Sequence, residues 1–137
     1  MSIRLNPYIT FPGTAREAME FYQSLLGGVL TLSTYGEYGM EDTAVAAKIM
    51  HGMLEADDGL VLMGGDVPPG EEHRPGNNFA VSLSGHDADA LRAHWAALSK
   101  GGTVLVPLEK QMWGDEFGMC IDAFGIAWMI NISGAQA

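Results

Sequence analysis

The chain has 137 residues and a mass of 14.7 kDa, and its 17 Asp and Glu against 7 Lys and Arg give a net charge of −10. Nucleic-acid binders and anionic-membrane binders draw affinity from Lys and Arg that neutralise phosphates, so this balance argues against both partners. One cysteine, Cys120, excludes an intramolecular disulfide, and 18 glycines with only 18% charged residues point to many tight turns.

The opening MSIRLNPYITF lacks the apolar run of a signal peptide, and no later apolar stretch is long enough to span a bilayer. A cytoplasmic location is the expectation. A first strand is predicted at Tyr8–Phe11. A helix follows over Thr14–Leu26, where Thr14 and Glu17 have the T-x-x-E spacing of a capping box and Gly27-Gly28 supplies the stop. Val29–Tyr35 reads as a strand, Gly36–Lys48 as a loop, and Met50–Glu55 and the stretch around Met63 as two further strands.

Gly64 to Asn77 is a turn-rich connector holding three of the six prolines, which Asp66 is expected to cap. After it come a strand candidate at Phe79–Leu83, a helix opening on Asp87 and running to Ser99, the pair Gly101-Gly102, and a strand at Thr103–Leu108. Two more strands carry Met119-Cys120 and Trp128-Met129. Asp122, just before Ala-Phe-Gly125, reads as the turn residue of their hairpin, and Cys120 as buried and unreactive. Because Trp128 and Met129 are neighbours on a strand, they must face opposite sides. If Met129 faces a ligand, Trp128 packs under a helix.

The two halves repeat one another. A shift of 73 places Ala18, Tyr22 and Leu25 over Leu91, Trp95 and Leu98, the spacing of one helical face. Later the shift becomes 66, with Gly52-Met53 over Gly118-Met119, Gly59 over Gly125 and Met63 over Met129. The difference is a longer loop in the first half. Each half reads strand, helix, strand, strand, strand. One helix leaves one face of such a sheet uncovered, and two modules placed together would form a trough able to take a ligand.

With paired βαβββ modules, Glu20-Phe21-Tyr22 ahead of Leu25-Leu26-Gly27-Gly28, and the closing segment Trp113-Gly114…Gly118…Asp122-Ala-Phe-Gly-Ile-Ala-Trp128, the chain resembles the glyoxalase/bleomycin-resistance (vicinal oxygen chelate) superfamily. Within it, Pro7-Tyr8-Ile9-Thr10-Phe11 and Leu62-Met63-Gly64-Gly65-Asp66 are similar to the PhnB-like group. The resemblance implies an α+β fold with eight main strands and a U-shaped cleft. It also implies one domain, made of modules at about 5–66 and 77–132, and a homodimer.

Enzymes of that superfamily hold a divalent metal through one His or Glu near the first or last strand of each module. Carried over, those positions fall on Pro7, Met63, Asn78 (or Ala80) and Met129. Pro and Ala cannot ligate, Asn is a weak ligand, and thioethers do not hold a hard cation. The expectation is therefore no metal and no cofactor, and no metal-dependent glyoxalase or dioxygenase activity.

The cleft or ligand-binding candidates are Met53, Met63, Asn78, Trp113, Met119 and Met129. Methionines give an adaptable, polarizable lining, and a tryptophan caps an apolar pocket while offering an N–H. Asp115 and Glu116 stand near Trp113. Among the histidines, His51 is the weak catalytic candidate, because neutral imidazole near pH 7 can do acid–base work. His94 reads as a helix packing or surface residue, and His73 and His86 as solvated. The functional expectation is a protein that binds an unidentified small organic molecule. The alternatives are a divergent lyase, isomerase or dioxygenase-like enzyme, or a structural dimer with a vestigial cleft.

Overall fold

A computed structural model describes residues 3–134. The chain divides between Arg74 and Pro75 into two compact units. Unit one contains β1 (Tyr8–Phe11), α1 (Ala15–Leu26), β2 (Val29–Thr34), the short α2 (Thr43–Ala46), β3 (Ile49–Glu55) and β4 (Val61–Asp66). Unit two contains β5 (Val81–Gly85), α3 (Ala88–Ser99), β6 (Thr103–Lys110), β7 (Glu116–Ile121) and β8 (Ala127–Ile132). The class is α+β, and each unit is one βαβββ module.

The topologies match. The first sheet has the order β1-β4-β3-β2 and the second β5-β8-β7-β6. In each, the strand before the helix lies parallel to the last strand, and the other neighbours run antiparallel. In the first module Met53 pairs with Met63, and in the second Met119 pairs with Met129. The shift of 66 is thus a structural equivalence.

Each helix covers one face of its own sheet. Under α1 lie Phe11, Ile49 and Leu54, all fully buried with Ala18, Met19 and Tyr22 of the helix. Under α3 lie Cys120, Trp128 and Ile130, with Leu91 and Leu98 above them. The Trp95 ring closes over Gly118, where an added Cβ would come within 2.9 Å of it. Strand alternation sends the intervening residues to the opposite face, and there Met53, Met63, Met119 and Met129 are half-buried.

Five local expectations need correction. Thr14 makes no side-chain capping bond; the Ala15 N–H donates instead to Asp66 Oδ1 at 2.9 Å. Asp66 accordingly serves the helix, not the connector. Its other oxygen accepts from the Ile49 N–H at 2.8 Å, and its carbonyl accepts from the Tyr35 hydroxyl at 2.9 Å. A carboxylate from a strand far along the chain outcompetes a local threonine because it satisfies two buried donors at once. The fifth strand begins at Val81, leaving Phe79 86% exposed before it. The segment Gly36–Lys48 contains the short α2, capped by Asp42, whose side chain accepts from the Ala44 N–H at 2.9 Å. His73 is not simply solvated, since its Nε2 lies 3.2 Å from the Thr10 carbonyl.

Asp122 is the hairpin residue, and it does more than turn the chain. One carboxylate oxygen accepts from the Phe124 and Ile126 N–H groups at 2.8 and 3.0 Å, and the other from Trp128 Nε1 at 2.9 Å. The indole gives its apolar body to the core and satisfies its one donor on the turn.

Cys120 is fully buried, and burial, with Asp122 nearby, pushes its thiol pKa above the ordinary value. Native protein should therefore react with a thiol reagent about a hundredfold more slowly than protein in urea, because attack requires an exposed thiolate. A native rate equal to the denatured one would contradict this placement.

Candidate functional site

The face of each sheet away from its helix gathers part of the chemistry marked out by the sequence. In the first module one row across that face runs Tyr8, Met63, Met53, Thr31, set by the pairings Tyr8–Met63, Met53–Met63 and Thr31–Met53. His51 lies one step further along β3, on the same side and opposite Ser33. In the second module the equivalent row is Ser82, Met129, Met119, Val106. The next row carries Asn131 and Phe117, which pair, and Ser84 opposite Asn131.

Tyr8 is the side chain that sequence reasoning passed over. Its hydroxyl donates to the Met50 carbonyl at 3.2 Å, and its ring centroid lies 5.8 Å from that of His51, tilted by 38°. Partial burial raises its pKa. The signal was available in part, because Tyr8 lay inside a predicted strand, but the strand opposite it could not be read from spacing.

Register also changes the positions facing the two methionines. Opposite Met63 stands Tyr8, not Pro7, and opposite Met129 stands Ser82, not Asn78 or Ala80. Asn78 is exposed ahead of β5, away from the row, as Pro7 is ahead of β1. Neither the phenol and thioether of the first module nor the alcohol and thioether of the second makes the donor set of a hard divalent cation. Among the described residues no three His, Cys, Asp or Glu side chains gather as a metal site.

Trp113 sits on the turn between β6 and β7 and is 62% exposed. Nearby, Asp115 accepts from Asn131 Nδ2 at 3.0 Å and from the Gly134 N–H at 2.8 Å. These two bonds, the first more than the second, hold its carboxyl below the ordinary value. Glu116 forms a forked ion pair with Arg92 of α3, with Nε to Oε1 at 3.3 Å, and that pairing lowers its pKa and raises the guanidinium's. The lowered pKa makes each a weaker base, and the lone pairs concerned are already engaged with Asn131, Gly134 and Arg92. His94 is half-buried and desolvation lowers its pKa, which fits the packing role.

A carboxyl with a lowered folded-state pKa contributes stability above its unfolded pKa that is lost as pH falls through the folded one. Asp115→Asn should therefore be less stable than the parent at pH 6, and should lose less on moving to pH 3. Urea midpoints at the two pH values check this; parallel losses in both proteins would refute it.

A depression of about 250 Å³ lies elsewhere in the first unit, lined among others by Pro12, Lys48, Pro68 and Glu71. Lys48 is engaged there, its Nζ donating to the Gly13 carbonyl at 3.1 Å. None of the ligand-binding or catalytic candidates named from the sequence lines it, although Asp66 does. No helix among the described residues is long and apolar enough to cross a membrane.

Comparison with known proteins agrees with the module repeat. Protein YjdN of Escherichia coli (strain K12) is 26% identical over 144 residues, spanning 93% of this chain and 94% of that protein. The crystal structure of protein PA1353 from Pseudomonas aeruginosa is similar with a TM-score of 0.89 and 32% identity, covering 98% of this chain and 100% of that one. The PhnB protein from Bacillus cereus shares the fold at a TM-score of 0.79 and 18% identity, over 96% of this chain and 100% of its own. Residues 4–130 match the family model, and the chain belongs to the glyoxalase/bleomycin resistance protein/dioxygenase superfamily.

Proposed function

We propose that this protein is a PhnB-like binder of a small organic molecule, working without the metal common in its superfamily. The observation that supports the reading most is the pair of cross-strand methionine couples, Met53–Met63 and Met119–Met129, on the helix-free faces. Where the metal-using relatives are expected to place His or Glu, this chain offers thioethers flanked by Tyr8 and Ser82. Such surfaces bind by dispersion and burial and supply no Lewis acid.

In this reading the two modules act as one domain, two chains pair, and the protein works in the cytoplasm. The edge strand β6, with Val104, Leu105 and Val106 partly exposed, supplies apolar surface for the pairing. Light scattering is expected to give twice the chain mass. No cofactor takes part in this reading.

The test is ligand-dependent melting across a panel of metabolites and drug-like compounds, in EDTA and then with added Ni, Zn, Mn or Fe. A ligand at a hundred times its Kd stabilises by about 2.7 kcal/mol, or about 10 °C for a chain this size. The expected result is a shift that persists in EDTA while elemental analysis finds no stoichiometric metal. A shift that needs one metal per chain sinks the proposal. A second reading, an enzyme, is favoured by the His51–Tyr8 pair on the same face. Turnover of a bound compound that is lost in His51→Ala, with binding retained, would establish it.

A further inference from the structure

The first module's helix-free face is built differently from the second's, and the difference names a ligand class. In the strand order β1-β4-β3-β2, β4 lies between Tyr8 on β1 and Met50 on β3. The Tyr8 hydroxyl nevertheless reaches the Met50 carbonyl, so its side chain must cross β4. It crosses at Gly65, which is buried although it has no side chain of its own. A Cβ at Gly65 would stand 2.8 Å from the Tyr8 hydroxyl oxygen and 2.7 Å from the Met50 carbonyl oxygen. Only a residue without a side chain lets the phenol lie down there. The tyrosine ring is thereby held across the sheet beside the His51 ring, next to the thioethers of Met53 and Met63.

The result is a ledge of two rings and two sulfur atoms. On these strand rows the nearest Asp, Glu, Lys or Arg along β3 is Glu55, four residues from His51, or about 13 Å at the rise of a strand. The second module has no such ledge, because Ser82 stands at the position equivalent to Tyr8.

We propose that Tyr8, laid over Gly65, and His51 form a platform for a planar, uncharged aromatic ring, which makes that the ligand class of this protein. The inference rests on the small-molecule-binding reading above. Flat rings gain from offset or edge contact with aromatic faces and from sulfur contact, whereas a puckered ring of the same size gains only burial. A charged ring would have to shed water on strand rows that carry no Asp, Glu, Lys or Arg beside the platform.

The experiment follows the methyl resonances of ¹³C-labelled methionine while the full chain is titrated with three probes: 2-naphthol, decahydro-2-naphthol and 2-naphthalenesulfonate. The expected result is that 2-naphthol shifts the Met53 and Met63 methyls and binds about tenfold more tightly than the other two. Tyr8→Leu should abolish that preference and Tyr8→Phe should keep most of it, because the ring is retained. Gly65→Ala should behave like Tyr8→Leu; since it also crowds backbone, the leucine variant decides if it fails to fold. Equal binding of the saturated alcohol or the sulfonate at those methyls overturns the platform and leaves the binding reading standing. No response of those methyls to any probe also overturns the platform, and the binding reading is then decided by the melting panel.

Discussion

Asp66→Ala is expected to lower the unfolding free energy by about 3–5 kcal/mol, a large share of the 5–15 kcal/mol typical of a domain. The carboxylate is 5% exposed and satisfies two backbone donors from distant elements, Ala15 at the start of α1 and Ile49 at the start of β3. Removing it leaves both N–H groups in a water-poor site and withdraws a negative charge from a helix N-terminus. Asp66→Asn should cost less, because its amide oxygen can still accept one of the two bonds. Urea titration followed by circular dichroism measures the loss. A change below about 1 kcal/mol for the alanine variant would mean that water replaces the carboxylate.

Gly102→Ala is the second large effect, expected to cost about 3 kcal/mol or more. An added Cβ would lie 2.0 Å from the Ile121 carbonyl oxygen and 3.0 Å from Asp122 Cα, both backbone atoms that cannot rotate away. Its counterpart in the first module, Gly28, meets the Glu55 carbonyl oxygen at 2.1 Å. Gly125→Ala makes the useful control. That residue has φ of +87° but nothing within 4 Å of an added Cβ, so its substitution should cost about 1 kcal/mol from backbone strain alone. Thermal melts of the two variants should separate by several degrees, with Gly102→Ala the lower. Equal melting points would show that the strand start moves freely.

These two sites show how far local pattern carries. Gly27-Gly28 and Gly101-Gly102 were legible as helix stops, and the helices do end there. That Gly28 and Gly102 are required by an approaching strand was not legible, because the strand comes from far along the chain. The Thr14–Glu17 capping box failed for the same reason. Its spacing was right, yet Asp66 arrives from β4 and takes the helix N-terminus.

The candidate site divides in the same way. Met53, Met63, Met119 and Met129 were marked out by a repeat that spans the chain, and that repeat survives as cross-strand pairs. Asn78 and Pro7 were placed by counting back along irregular segments. The parallel register substitutes Ser82 and Tyr8, since hydrogen bonding between strands, not distance in sequence, decides which residues stand side by side.

The amino-acid order alone settled the acidic charge, the two βαβββ halves and the helix faces, because these follow from composition and pattern along the chain, while the family was marked by the resemblance of particular motifs. Tertiary structure alone decided what stands next to what. It put a carboxylate under a helix, a tyrosine across a glycine to meet His51, and an alcohol beside Met129. Each depends on long-range pairing whose register is fixed only when buried faces and backbone hydrogen bonds are satisfied together.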